Sequence, residues 1–139
     1  MRQAVDELTF HTPGPGAIDV TRDVCEWVRA SGIRDGLVTL HVRHTSASLV
    51  IQENADPQVL RDFENYLRRL VPHADPLFRH TAEGPDDMPA HVRSALTSTT
   101  LSVPVASGVP ALGTWQAIYL WEHRDLPHTR RIALHLLGE

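Results

Sequence analysis

Gly36-Leu37-Val38-Thr39-Leu40-His41-Val42-Arg43-His44-Thr45-Ser46-Ala47-Ser48-Leu49-Val50-Ile51-Gln52 is the stretch on which the fold turns. Gly36 to Val42 reads as a strand, and so does Ser48 to Gln52, each rich in aliphatic and β-branched residues. Between them His44 to Ser48 is polar and too short for a helix, so it is a bulge or a crossing. Two strands joined this closely argue against regular alternation of strand and helix. Working outward, Val5 to Phe10 has mixed strand character, and Thr12-Pro13-Gly14-Pro15-Gly16 breaks it. From Thr21 to Ala30, Val24, Trp27 and Val28 recur at helical spacing, with Gly32 as the stop. Asp56-Pro57 is a helix start, with aspartate as N-cap and proline at the first helical position. Val59, Leu60, Phe63, Leu67 and Leu70 continue one apolar face until Pro72. Residues 73–87 form a long irregular loop, and Pro89 to about Thr97 a short helix with His91 in its first turn. Leu101–Val105, Ala111–Glu122 and Arg131–Leu137 read as strands, with turns at Ser107-Gly108 and Asp125-Leu126-Pro127. The expected class is α+β: a mixed or antiparallel β-sandwich with two or three helices, in one domain over residues 1–139.

The composition narrows the function. A net charge of −4 argues against a nucleic-acid binder, whose footprint is a basic surface. All 13 basic residues are arginines, so a lysine Schiff base is excluded and anions must meet guanidinium forks, backbone amides or a metal. The single Cys25 rules out an intrachain disulfide and points to a reducing compartment. It sits with Val24 and Val28 as a small buried hydrophobe and not as a nucleophile. No apolar run approaches the ~20 residues that span a bilayer, and no leader opens the chain, so a cytoplasmic protein without membrane contact is expected.

Nine histidines occur in 139 residues. His44, His80 and His91 lie in polar, turn-rich segments among carboxylates, hydroxyls and glycine. Neutral imidazole is the commonest metal ligand. Three such rings brought together would hold a divalent ion, zinc or magnesium, and leave positions free for a substrate. The 73–87 loop carries Asp75, Glu83, Asp86 and Asp87. Asp86 or Asp87 suits capping of the following helix, whereas Glu83 suits pocket duty, orienting an imidazole or serving as a base. Thr45, Ser46 and Ser48 either donate to phosphate oxygens or bond to nearby backbone. Arg43, Arg79, Arg93, Arg124 and Arg130 are the candidate phosphate forks. Trp115 and Gln116 occupy an apolar strand next to Gly113, where the indole is core or a ring-stacking wall.

Four segments carry a resemblance: His44-Thr45-Ser46-Ala47-Ser48-Leu49, Glu53-Asn54-Ala55-Asp56-Pro57, Glu83-Gly84-Pro85-Asp86-Asp87-Met88-Pro89-Ala90-His91 and Gly113-Thr114-Trp115-Gln116. In this succession the chain resembles the YjbQ-type proteins, described as having a secondary thiamine-phosphate synthase activity. The resemblance implies an α+β sandwich, a homotrimer with a pocket near the subunit boundary, and a metal site at His44, His80 and His91. It also places Asn54, Asp56, Glu83, Trp115, Gln116 and Glu122 on positions matching the family's polar pocket. Ser98 departs from it, standing where the family usually has glycine.

These observations give a leading expectation: a metal-dependent enzyme on phosphorylated small molecules, coupling a pyrimidine pyrophosphate to a thiazole phosphate. Glu83, Asp87 and Gln116 are the expected catalytic groups, and Thr45, Ser46, Asn54, Asp56, Trp115 and Glu122 the substrate contacts. The alternatives are metal-assisted hydrolysis and an oligomeric metabolite-binding protein without turnover. Dedicated thiamine-phosphate synthases are (β/α)₈ barrels of ~250 residues, so this chain would use an unrelated scaffold.

Overall fold

The polar segment after Val42 is a crossing: the strand before it and the strand after it lie in different sheets. The computed structural model describes residues 1–139. In chain order they form β1 (Arg2–Thr12), β2 (Gly16–Asp19), α1 (Thr21–Ser31), β3 (Gly36–Val42), β4 (Ala47–Glu53) and α2 (Pro57–Leu70). α3 (Asp87–Leu96), β5 (Thr100–Ala106), β6 (Val109–Pro110), β7 (Gln116–Glu122) and β8 (His128–Gly138) follow. One sheet has the order β1-β8-β3-β5-β6 and the other β2-β7-β4, with every pairing antiparallel.

The two sheets close on one core of 16 buried residues. Val38, Leu40 and Val42 of β3 alternate inward with Ile132, Leu134 and Leu136 of β8. Leu49 of β4 and Ile118 and Leu120 of β7 answer them from the other sheet. Each such side chain contributes roughly 1.5–3 kcal/mol when fully buried. α1 adds Val24 and Val28, and ends on Gly32 in the left-handed region (φ 73°), which glycine adopts without a Cβ clash. No helix is long and apolar enough to cross a membrane.

α2 starts as expected, with the Asp56 carboxylate accepting from the Gln58 N–H at 2.9 Å. It lies over β2, with Phe63 edge-on to Trp121, without burying any residue completely, so Phe63, Tyr66 and Leu70 remain exposed. Local expectations are corrected at four points. The strand expected over Ala111–Glu122 begins only at Gln116, because Gln116 Oε1 accepts from the Gly113 N–H (2.8 Å) and closes a turn ahead of it. β2 starts at Gly16, the last residue of the stretch read as a break, and pairs with Tyr119–Glu122. α3 begins at Asp87 and not at Pro89, so the proline is the third helical residue, where its missing N–H still costs nothing. Neither Asp86 nor Asp87 caps that helix: Asp86 stands at the N-cap position but makes no side-chain cap bond. Ser98 has no positive φ, and its carbonyl accepts from the Leu49 N–H at 2.6 Å.

Candidate metal centre

The early start of α3 makes the site. Asp87 and His91 stand four residues apart on one helical face, and the preceding loop turns His80 onto the same spot. Asp87 Oδ2 lies 2.8 Å from His80 Nε2 and 3.1 Å from His91 Nε2. The three ligand atoms fall within 4.8 Å of one another. The carboxylate is 1% exposed, while the His80 ring is on the surface. Burial alone would raise the Asp87 carboxyl; the His80 hydrogen bond, the His91 charge and the Arg124 guanidinium outweigh it and hold the group below its ordinary value.

The other side of the His91 ring decides what this arrangement can do. His91 Nδ1 lies 3.0 Å from the Thr45 carbonyl. A carbonyl only accepts, so Nδ1 carries the proton. In a neutral ring Nε2 then presents a lone pair to a carboxylate oxygen, which is repulsive unless a proton or a cation lies between them. An imidazole donating Nδ1–H to a backbone carbonyl with Nε2 turned to a shared point is the orientation that backs metal-ligating histidines. Ligands about 2.0–2.2 Å from a zinc-sized ion stand roughly 3.3 Å apart, close to the observed spacings. Two imidazoles and one carboxylate therefore fit a divalent ion with a position left open.

The His44 ring is engaged elsewhere. His44 Nε2 accepts from the Arg131 N–H of β8 at 2.8 Å, so within one chain it does not join His80 and His91. Burial, then Arg130, with Arg131 and Arg43 adding to it against the pull of Glu122, push its pKa down. His44 instead shares a cavity of about 290 Å³ with Thr45, His91, Ser94, Ala95 and Thr99, directly beside the centre.

The remaining expected site residues divide by place. Glu83 lies on the rim, its backbone carbonyl bonded to Arg124 and its carboxylate 3.8 Å from that guanidinium. Ser46 is buried, its hydroxyl 3.0 Å from an Arg130 nitrogen. Glu122 is 0% exposed and is enclosed by the Arg130 guanidinium, the Thr12 hydroxyl and the Arg124 N–H, with no face turned to a ligand. Burial would raise its carboxyl, but these donors hold it below the ordinary value. Asn54, Asp56, Trp115 and Gln116 gather at the far end of the β4–β7 ladder, where Glu53 pairs with Gln116 while Ala47 pairs with Glu122. Six strand steps at ~3.3 Å separate the two ends, roughly 20 Å. Gln116 is folded back onto Gly113, Asp56 caps α2, and Trp115 is 64% exposed in the turn before β7.

The arginines divide too. Arg93 is buried with one nitrogen on the Val71 carbonyl (2.7 Å), Arg130 is taken up by Glu122, and Arg43 pairs with Glu7. Arg124 is ringed by Glu83, Asp86 and Asp87, and holds the Asp86 carboxyl down to about 2. Arg79 alone of the five expected forks is fully on the surface beside a centre residue, next in sequence to His80. The place of Asp87 beside both rings follows from a helix that starts two residues before Pro89; the Asp-x-x-x-His spacing is the signal for it in the sequence.

A family model described as UPF0047 protein YjbQ-like matches residues 6–139. The chain belongs to the YjbQ-like UPF0047 family. A UPF0047 protein of Synechocystis is 48% identical over 138 residues, covering 99% of this chain and 94% of that protein. The YjbQ protein of Escherichia coli O157:H7 is 46% identical over 104 residues, 75% of each chain. Among solved structures, a YjbQ/UPF0047 protein of Clostridium acetobutylicum superposes with a TM-score of 0.87 at 32% identity, covering 95% of this chain and 99% of that one. A conserved hypothetical protein of Thermus thermophilus gives 0.85 at 36% identity, with the same coverage. The two-sheet, three-helix architecture described above is thus the YjbQ fold, and in this YjbQ-like chain it brings the His80–Asp87–His91 cluster to the rim of the sandwich.

Proposed function

We propose that the chain is a divalent-metal-dependent enzyme acting on phosphorylated small molecules, and that its reaction is the coupling of a pyrimidine pyrophosphate to a thiazole phosphate. The observation that carries this reading is the convergence of two Nε2 atoms on Asp87 Oδ2, with His91 Nδ1 committed to the Thr45 carbonyl. His80, Asp87 and His91 would hold a zinc- or magnesium-like ion. When bound, the ion supplies positive charge against pyrophosphate as its C–O bond breaks and the thiazole C–N bond forms. The Thr45 carbonyl keeps the His91 ring in register, and the Arg124 guanidinium does the same for the carboxylate. Exposed Arg79, next to His80 in sequence, would meet a phosphate group, and Thr45 and Thr99, which line the cavity, would donate to it.

The proposed assembly is a homotrimer whose pocket is completed across the subunit boundary. Two observations support it. The expected substrate residues fall into groups at opposite ends of one ladder, which a single chain cannot bring to one ligand. The apolar face of α2 and the Trp115 ring also stand uncovered. Light scattering should give three subunits, and mixing His91→Ala with Trp115→Ala subunits should restore turnover that neither variant has alone. A monomer, or mixtures as inactive as their components, overturns the shared pocket.

The reaction itself is tested on purified protein by metal analysis together with product detection from the two substrates. Stoichiometric metal and turnover abolished in Asp87→Asn are the expected results. Undiminished turnover in metal-free protein overturns the reading. A cavity of about 290 Å³ lies at the low end of ligand sites, ~300–1,000 Å³, and favours metal-assisted hydrolysis of one small phosphate ester if no subunit completes it. Phosphate released without a coupling partner identifies that case.

A further inference from the structure

Arg124, at the end of β7, holds the region of the centre in one fork. Its Nε donates to Asp86 Oδ2 at 2.8 Å, one terminal nitrogen lies 3.0 Å from Asp87 Oδ1, and the other donates to the Glu83 carbonyl at 2.9 Å. The fork is itself anchored from behind, because the Arg124 N–H donates to the buried Glu122 carboxylate and the Asp125 N–H to Asp86 Oδ2. The Asp87 carboxylate is therefore divided. Oδ1 faces the guanidinium as an ion pair, and only Oδ2 faces the imidazoles.

This division matters for which ion the centre takes. A carboxylate free to offer both oxygens raises the coordination number and suits larger, oxygen-seeking cations such as calcium, while magnesium demands a six-oxygen octahedral shell. A carboxylate offering one oxygen beside two imidazoles suits a four-coordinate ion of zinc type. We propose that Arg124, by occupying Asp87 Oδ1, keeps the carboxylate monodentate and thereby selects a four-coordinate, zinc-type ion against magnesium or calcium. The proposal rests on the metal reading above and adds the choice of ion and the residue that makes it. Arg124 is a positioning residue: it acts on the ion through Asp87. It also sets Arg124 apart from the candidate phosphate forks, since its guanidinium already faces three carboxylates and the Glu83 carbonyl.

The test uses cobalt(II) as a visible probe, four-coordinate cobalt absorbing far more strongly than five- or six-coordinate cobalt. Wild-type protein should show the intense spectrum, and zinc should outcompete magnesium by a wide margin in equilibrium dialysis. Arg124→Met should weaken the spectrum and lower the zinc-to-magnesium affinity ratio at least tenfold, within the 10–100-fold that loss of such supporting groups costs. Asp86→Asn is the control: it removes a neighbouring carboxylate charge from Arg124 but leaves the guanidinium held at the Glu83 carbonyl and facing Asp87 Oδ1, so the intense spectrum and the ratio should survive. An Arg124→Met spectrum and ratio like wild type, or an equal change in Asp86→Asn, overturns the proposal and leaves the metal centre standing. Should Arg124→Met not fold, X-ray absorption of zinc-loaded wild type decides, since a shell of five or six ligands overturns the proposal equally. Wild-type protein that takes up neither zinc nor cobalt brings down the metal reading and this inference with it.

Discussion

Asp87 and Glu122 are both buried carboxylates held by an arginine, yet their surroundings differ in one respect. Around Glu122 the donors close completely: Arg130 from β8, the Thr12 hydroxyl from β1 and the Arg124 N–H use its oxygens and join the two sheets. Around Asp87, Arg124 takes one oxygen and the other faces two rings of which one reaches the surface. A closed arrangement stabilises the fold, and an open one can exchange a proton or an ion. The polarity of the residues does not separate them; the count of committed donors does.

The comparison can be broken most forcefully at Glu122. Glu122→Ala leaves the Arg130 charge buried without its partner, which costs about 3–5 kcal/mol, and urea denaturation should show it. A loss below ~1 kcal/mol would mean that the cluster is not closed. At the open site the expected loss lies in binding. Asp87→Asn should weaken zinc uptake by ~100-fold or more, about 2.7 kcal/mol, in competition with a chromophoric chelator. Unchanged affinity would show that the ion, if any, sits elsewhere.

A third measurement sharpens the closed side. His123 is buried next to Glu122, with Nε2 2.8 Å from the Ser48 hydroxyl, and burial first, then the Arg93 charge, push its pKa down to about 3. Its unfolded value is near 6.5. Between those values the unfolded chain holds a proton that the folded chain lacks, so stability is present above pH 6.5 and falls as the pH drops towards 3. The slope from this group is up to about 1.4 kcal/mol per pH unit, and His123→Gln should flatten it. A slope unchanged by the substitution would assign acid sensitivity to other groups. The smallest effect belongs to Asp56. Asp56→Ala removes the α2 cap and should cost ~1 kcal/mol by denaturation. If Asp56 also touches substrate, KM rises in the same variant while kcat stays.

Much of the fold is legible in the sequence because local period sets it. The strands at Gly36–Val42 and Ser48–Gln52, the α1 stripe and the Asp56-Pro57 start all announce themselves within a few residues. That the polar segment between those strands crosses from one sheet to the other is not local, since β3 and β4 find different partners far along the chain. β2 is hidden by its four-residue length directly after Pro13-Gly14-Pro15. At the site, His80 and His91 stand out as imidazoles in polar, turn-rich segments, and Asp87 was picked out for a different task. Two local features obscure the cluster in the sequence. Pro89 resembles a first helical residue but is the third, which concealed the Asp87–His91 face. His44 has the right neighbours in sequence, but its Nε2 accepts from a backbone amide 87 residues away.

α3 is stitched to β4 and its approach by His91 on the Thr45 carbonyl and the Ser94 hydroxyl on the Ala47 carbonyl, and the Ser98 carbonyl just past the helix accepts from the Leu49 amide. Asp87 and His91 thus ride on a stiff body, whereas His80 belongs to the irregular stretch before it. The consequence is kinetic. Departure of a captured ion would begin with His80 swinging out, a loop movement on the nanosecond-to-microsecond scale, and would not wait for the sandwich to open. Chelators would strip such a centre quickly while the protein stayed folded.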